Sequence, residues 1–393
     1  MDTSRHDVVV VGARVAGSAT AMLLARMGHD VVVVDQASLP SDTVSTHSIA
    51  RGGVVQLHRW GLLDEVVDSG APPIRQVTFN AAGASLTRPI KRKAGVDFLV
   101  APRRYVLDTI VAGAAEQAGA DVRYGITVTG VRRDRAGRVV GVAGHDRAGA
   151  TVELDGRWVV GADGLGSRVA RSVGAALTEV RQAGGAAQYA YYAGIPWAGM
   201  ELIAAERSLA GVFPTHHGQA CIWVCTPAAD AKAVRRRTAS RAEAFDDLLE
   251  RGAPELADRL RLARRASPVR GMLRLPNQVR QAFGAGWALV GDAGYHRDAI
   301  TAYGISDALR DAELLAVALD QALAGEGEAA LARYQRQRDQ ALREIFELTC
   351  RLAAYPPVPT FVELQKRLST AIDREAEALA ARPVPGQRLL ATA

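Results

Sequence analysis

Six residues near the start of the chain have the types and spacing to hold a phosphorylated ligand. Gly12, Ala13, Arg14, Val15, Ala16 and Gly17 follow a β-branched run over residues 7–11 and precede helical spacing of apolar residues through Ala21, Leu24 and Ala25. A tight turn at Gly12 brings backbone N–H groups and the positive end of a helix to a pyrophosphate, while Gly17 lets that helix approach the strand. A second run over 31–34 finishes at Asp35. Its carboxylate is placed to accept hydrogen bonds from the hydroxyls of an adenosine ribose, and an acid there favours FAD or NAD over NADP. Arg14 departs from the pattern, because the glycine usual at this position lets the backbone close on phosphate. Two outcomes stay open for its guanidinium: pairing with the pyrophosphate, or turning outward to solvent.

Two later glycine–acid pairs extend the pattern. Alternating runs lead into Gly161, Ala162, Asp163 and Gly164; a short run over 287–290 leads into Gly291 and Asp292, and Gly304 and Ile305 then open a long helical stretch. Between the first turn and these pairs lie His47 and Arg51, in a segment over 45–51, and Arg104, which forms an Arg-x-x-Leu run with Leu107. Each has a plain structural alternative: Asp163 as a turn cap, Arg104 as a helix-surface residue, His47 as a loop histidine.

Other chemistries find little support. Cys221, Cys225 and Cys350 offer neither a disulfide framework nor CxxC spacing, and Cys221 and Cys225 read as small core residues on one face of a strand. His216 and His217 fall in a turn between Pro214 and Gly218, where solvation is expected rather than a role as base, and no spacing marks a metal site. The 48 basic and 42 acidic residues leave a net charge of +6, but tight basic runs are short, as at Arg235, Arg236 and Arg237, beside an expected helix start. That distribution reads as solvated surface and argues against a nucleic-acid partner. The N-terminus has no charged prelude to a long apolar core and no run is long enough to span a membrane, which favours a cytoplasmic protein.

In order and spacing, the glycine-rich turn, the Asp163-Gly164 motif and the Gly291-Asp292 motif resemble the flavoprotein monooxygenase superfamily typified by p-hydroxybenzoate hydroxylase. That superfamily includes the geranylgeranyl reductases and flavin-dependent halogenases, and the resemblance covers residues 1 to about 345. It implies an FAD cofactor. By it, Asp292 hydrogen-bonds the ribityl chain, and the N–H groups of Gly304 and Ile305 face the pyrimidine end of the isoalloxazine. It also implies that Asp163 lies near the flavin and its reductant, that Arg104 contacts FAD, and that His47 and Arg51 stand beside the cofactor's phosphates. A helix N-terminus aimed at the flavin N1 and O2 region stabilises the negative charge that reduction places there. The segment departs from the family at Ala299, where proline is usual, at Thr301, where glycine is common, and at Tyr303. Without proline the backbone over that stretch is freer.

These residues require an α/β scaffold: a Rossmann-type FAD-binding domain, p-hydroxybenzoate hydroxylase-like, with an antiparallel β-sheet substrate domain and C-terminal helices. The expected FAD-binding domain is discontinuous, over 1–75, 100–180 and 277–345; 76–99 and 181–276 form the substrate domain and 346–393 a C-terminal helical segment. A helix is expected over 101–119, a strand meander over 122–131, 139–143 and 158–160, and helices over 241–251, 254–266, 306–322, 328–352 and 361–381, with 383 onward frayed. Runs over 187–195, 210–213 and 220–225 predict an antiparallel sheet whose Tyr189, Tyr191, Phe213 and Trp223 are candidate walls of a substrate pocket over the flavin. Alternation separates Tyr189 and Tyr191 from Tyr192.

With one nucleotide-binding unit instead of two, the leading expectation is a single-component monooxygenase. NAD(P)H visits transiently and reduces FAD, O2 forms a flavin C4a-hydroperoxide, and an electron-rich small organic substrate, aromatic or polyketide-like as in secondary metabolism, is hydroxylated or epoxidised. A reductase or dehydrogenase of the geranylgeranyl reductase type is the alternative that Ala299 and Thr301 keep open, and a flavin-binding redox sensor without turnover is a third. The tryptophan pair and following Ile-Pro that mark halogenases are not reproduced around Trp223. No catalytic acid or base stands out, and neither substrate identity nor oligomeric state is legible.

Overall fold

The computed structural model describes residues 5–182 and 184–386. The strand Arg5–Val11 pairs in parallel with Val31–Asp35 on one side and with Thr151–Gly161 on the other. Trp287–Leu289 and Asp121–Tyr124 extend the parallel sheet outward from these. Val8, Val9 and Val10 are fully buried, the signature of parallel strands covered on both faces. One face is covered by the helices Val15–Arg26, Arg104–Gln117 and Gly304–Gln321. The other lies under the hairpin Thr127–Arg133 and Val139–His145 and the short helix Arg168–Val173.

The expected strand over 122–131 is two strands. Gly125, at φ 78°, turns the chain after Asp121–Tyr124, which joins the parallel sheet, while Thr127–Arg133 pairs with Val139–His145 in the meander. Both halves alternate alike, so periodicity does not separate them; the left-handed glycine does.

A second sheet runs in the order Arg264–Arg265, Gly185–Ala193, Ala220–Pro227, Ser208–Pro214, Met200–Ala205, Gln76–Ala81, Ala84–Pro89, with Arg270–Leu273 also paired to Gly185–Ala193. The strand Gln76–Ala81 joins it by a parallel pairing with Met200–Ala205. Alternation divides the sheet as expected. Tyr189, Tyr191, Phe213, Cys221, Trp223 and Cys225 share one apolar cluster, whereas Tyr192, Ile222 and Val224 pack into another beneath the helices Ala228–Arg237 and Arg241–Gly252. Arg235, Arg236 and Arg237 form the last turn of Ala228–Arg237, just before the start of Arg241–Gly252, and cations at that end complement the helix dipole. After Glu328–Leu352, Pro356 and Pro357 end the helical run and Val358–Ala380 folds back against the helix Arg51–Arg59 and the second sheet. Residues 387–393 of the expected frayed tail lie outside the described residues. No helix among the described residues is long and apolar enough to cross a membrane.

Candidate cofactor cleft and adjoining cavity

A cleft of about 730 Å³ opens where the parallel strands end, between the two sheets. Its position follows from the topology, because loops leaving the carboxyl ends of parallel strands converge there. Its volume is in the range of small-molecule sites. Gly12, Arg14, Val15, Ala16 and Asp35 line one part of it; Asp163, Asp292, Gly304 and Ile305 line others, with His47, Arg104 and Tyr189.

Glycines make the close approaches. Gly12 adopts φ 109°, and a Cβ there would sit 2.4 Å from the Ala162 carbonyl oxygen; a Cβ on Gly17 would sit 1.8 Å from the Gly12 carbonyl oxygen. A Cβ on Gly291 would stand 2.8 Å from the Ala16 Cβ, so the first and third motifs touch through a missing side chain. Gly304 is different: it is exposed at the start of an 18-residue helix, and an added Cβ meets nothing within 4 Å. The Asp35 carboxylate accepts from the N–H groups of Ala13 and Ala37, each at 2.8 Å, and so holds the turn as well as lining the cleft.

Arg14 does not turn outward to solvent but is held at the cleft wall. Its Nη1 donates to Asp108 Oδ2 at 2.6 Å and to the Ser41 carbonyl at 3.2 Å, and its Nη2 donates to Ser41 Oγ at 3.1 Å. Arg104 grips the same carboxylate through Nε at 2.9 Å and Nη2 at 3.1 Å. Asp108 is fully buried, and both guanidiniums line the cleft. One carboxylate between two guanidiniums leaves a net positive charge for an anion. Asp108 lies one helical turn after Arg104, and that i, i+4 spacing was the available signal.

Asp163 accepts from Ser167 Oγ at 2.5 Å and from the N–H groups of Arg168 at 2.6 Å and Val169 at 3.2 Å, capping the helix Arg168–Val173 while facing the cleft. Asp292 stands exposed in the turn Gly291–Ala293. The glycine cradle, the open approach to Gly304 and the paired arginines fit an elongated diphosphate-bearing cofactor.

His47 is buried at φ 66°, stacked on Tyr191 with ring centroids 5.6 Å apart and edge-on to Tyr189 at 5.9 Å. Burial first, and then the Arg104 and Arg103 guanidiniums, hold its pKa well below 6.5. In the protein alone it is a neutral ring packed against two tyrosines while it also lines the cleft. Arg51 lies outside the cleft altogether. After the left-handed turn at His47 the chain starts the helix Arg51–Arg59, which carries Arg51 to Asp373 on Val358–Ala380; Nε donates to Asp373 at 2.9 Å and Nη1 to the Val96 carbonyl at 2.8 Å. Local sequence carries no trace of a partner so distant in the chain.

Of the candidate wall residues, Tyr189 lines the cleft, and Tyr191 lies buried under the Arg103 guanidinium, 3.6 Å from its ring centroid. Phe213 and Trp223, 5.1 Å apart, instead line a second cavity of about 240 Å³. Ser48 and Ala302 border both cavities. Between them runs the departing segment, where Ala299–Thr301 forms a short turn capped by the Asp298 carboxylate, 3.0 Å from the Ile300 N–H, and Ala302 adopts φ 50°. Burial raises the Asp298 carboxyl to about 6.

A buried ionic cluster escaped sequence reasoning. Arg310 donates to Asp307 at 2.8 Å, to Glu375 at 2.6 Å and to Tyr295 Oη at 2.8 Å, and it pairs with Asp311 at 2.8 Å; Arg297 pairs with Asp307, and Tyr303 donates to Glu375. The cluster ties the first turn of Gly304–Gln321, which borders the cleft, to the C-terminal helix. His216, expected in solvent, is buried. Its Nδ1 accepts from the Arg103 N–H at 3.3 Å, so the proton sits on Nε2 and is donated to Ser69 Oγ at 3.0 Å. Burial, then His217 and Arg103, lower it to about 4. A neutral imidazole that donates to the hydroxyl cannot activate that serine as a base. Among the described residues no cluster of His, Cys, Asp and Glu is arranged to hold a metal.

A family model described as an FAD binding domain matches residues 5–349. The chain belongs to this family. Menaquinone reductase of Mycobacterium tuberculosis (strain ATCC 25618 / H37Rv) is 32% identical over 168 residues, 43% of this chain and 40% of that protein. Kynurenine 3-monooxygenase of Salinispora arenicola (strain CNS-205) is 29% identical over 177 residues, 43% of this chain and 38% of that protein. The alignments thus span well under half the length of these relatives. The flavin-dependent brominase Bmp2 has the same fold, with a TM-score of 0.83 at 20% identity over 94% of both chains. The p-hydroxybenzoate hydroxylase-like architecture inferred from three motifs is the architecture found.

Proposed function

We propose that the protein is an FAD-dependent oxidoreductase, a single-component monooxygenase that takes NAD(P)H as transient reductant and O2 as co-substrate. The observation that carries this reading is the pairing of two unlike cavities. One is a glycine-cradled cleft with an acidic ribose position and paired arginines; the other is small and largely apolar, and they meet at Ser48 and Ala302. Bound FAD supplies the redox chemistry, accepting hydride and passing electrons on to oxygen. The chain's residues bind and orient. Gly12, Gly17 and the helix Val15–Arg26 receive the pyrophosphate beside Arg14 and Arg104, Asp35 takes the ribose, Asp292 the ribityl chain, and the N–H groups at Gly304 and Ile305 the pyrimidine edge. His47, Tyr189 and Tyr191 exclude water from the adjoining wall.

The similarity to menaquinone reductase favours a second reading, reduction of a carbon–carbon double bond, with the segment at Ala299 free of the usual proline. Incubation with NAD(P)H and oxygen-18 gas, using small organic compounds that stimulate NAD(P)H oxidation, separates the two. Product carrying one heavy oxygen atom supports oxygenation. Product gaining two hydrogens, formed equally well without oxygen, refutes oxygenation in favour of the reductase.

A further inference from the structure

We propose that the second cavity is an acid-binding site in which Arg51 anchors the carboxylate of a small, flat, largely apolar substrate. The proposal rests on reading that cavity as the substrate site of the oxidoreductase described above. At about 240 Å³ it lies below the roughly 300–1,000 Å³ usual for drug-sized ligands, so the ligand is small. Met200, Leu202, Leu209, Phe213, Trp223 and Ile300 supply apolar and aromatic wall for a flat body.

Its polar end is built differently. The helix Val358–Ala380 turns one face to the cavity, presenting Gln365, Leu368, Ser369, Ile372 and Asp373 at i, i+3, i+4, i+7 and i+8. Gln365, Ser369 and Asp373 form a polar stripe along it, opposite Ser48 and Arg51. The Arg51 side chain is only 9% exposed. Its Nε is committed to Asp373 and its Nη1 to the Val96 carbonyl, and Nη2 makes no hydrogen bond among the described residues. That nitrogen is not among the buried unpartnered atoms and is open to a ligand, and a carboxylate would meet it through a charge-assisted bond about twice as strong as a neutral one.

The neighbouring charges favour an anion over a cation. Asp373, the carboxylate lining the cavity, already receives both Arg51 and Lys93 Nζ at 2.9 Å, and Glu377 lies 3.8 Å from Lys93 at a more exposed position. An amine entering the cavity would meet Arg51 and find its one counter-charge shared by two cations. An acid would meet the uncommitted Nη2, with Gln365 and Ser369 as further donors.

The test uses the FAD-loaded protein and three probes of one shape: 2-naphthoate, 2-naphthamide and 2-naphthylmethylamine, titrated by tryptophan fluorescence and flavin absorbance. The expected result is naphthoate binding at least about tenfold tighter than the amide, with the amine weakest. Arg51→Met should bring the acid-to-amide ratio to about one, and Arg51→Lys should retain part of the preference, both with FAD content maintained. Equal binding of acid and amide by the wild type, or a preference that survives Arg51→Met, overturns the proposal. Should Arg51→Met fail to fold, the wild-type series and Arg51→Lys decide. FAD content and stimulated NAD(P)H oxidation report separately on the underlying reading: a yellow, turning-over enzyme indifferent to ligand charge refutes the Arg51 anchor alone, whereas protein unable to take up FAD refutes the oxidoreductase assignment.

Discussion

Replacing Gly304 with alanine separates stability from cofactor affinity at a single atom. In the protein alone the new methyl has open space, since nothing lies within 4 Å of an ideal Cβ, and the backbone is not left-handed there. Helix propensity favours alanine over glycine by up to about 1 kcal/mol, less in a first turn. The apoprotein should therefore melt at the same temperature as the wild type or slightly higher. If the isoalloxazine lies against the N–H groups of Gly304 and Ile305, the same methyl intrudes on it, and overpacking of this kind costs about 1–3 kcal/mol. FAD affinity should fall by roughly tenfold to a hundredfold. Titration of apoprotein with FAD, followed by quenching of flavin fluorescence, measures the second quantity, and melting without FAD the first. A Gly304→Ala variant that binds FAD as tightly as the wild type would refute the placement of the flavin at this helix end.

Gly17→Ala should do the reverse, because its Cβ would fall 1.8 Å from the Gly12 carbonyl oxygen; the expected loss is about 3 kcal/mol or more of stability without FAD, read by chemical denaturation. Asp108→Asn removes the carboxylate shared by Arg14 and Arg104; it should lower apoprotein stability by about 2–3 kcal/mol. FAD addition should then raise its melting temperature more than that of the wild type as phosphate replaces carboxylate, and equal gains would place these arginines away from the phosphates. Burial raises the Asp298 carboxyl from 3.8 to about 6 in the folded protein, so the native state holds its proton more tightly than the unfolded chain and stability is lost as pH rises from about 4 through about 6. Asp298→Asn should be more stable than the wild type at pH 7.5 by up to about 3 kcal/mol, with the difference shrinking towards zero near pH 4; a difference independent of pH would contradict a raised carboxyl.

The residues that converge on the cleft were largely legible in the chain because each sits at a local junction with its own physical signature. Gly12 ends a strand and needs a positive φ, Asp35 ends the next strand, Gly291 needs a missing Cβ, and Gly304 opens a helix. The fate of side chains with several possible partners was not legible. Arg14 looked like a phosphate ligand or a solvent group, and its partner Asp108 comes 94 residues later. Arg51 sits four residues from His47, yet its partner Asp373 lies 322 residues away. His216 sits in a turn of polar appearance, and only the packing of Ser69 and Arg103 around it made it a buried neutral ring.

What the amino-acid order determined by itself was the succession of strands, turns and helices, and with it the FAD-binding architecture, since backbone conformation and face periodicity are short-range properties that neighbouring residues dictate. Tertiary structure alone decided that the aromatic face of the second sheet divides between two cavities, that the C-terminal helix lines one of them, and that Arg51 borders that cavity and not the larger cleft. Those outcomes depend on which distant surfaces meet and which carboxylate reaches a guanidinium first, and charge pairing in a packed interior is set by three-dimensional proximity rather than by spacing along the chain.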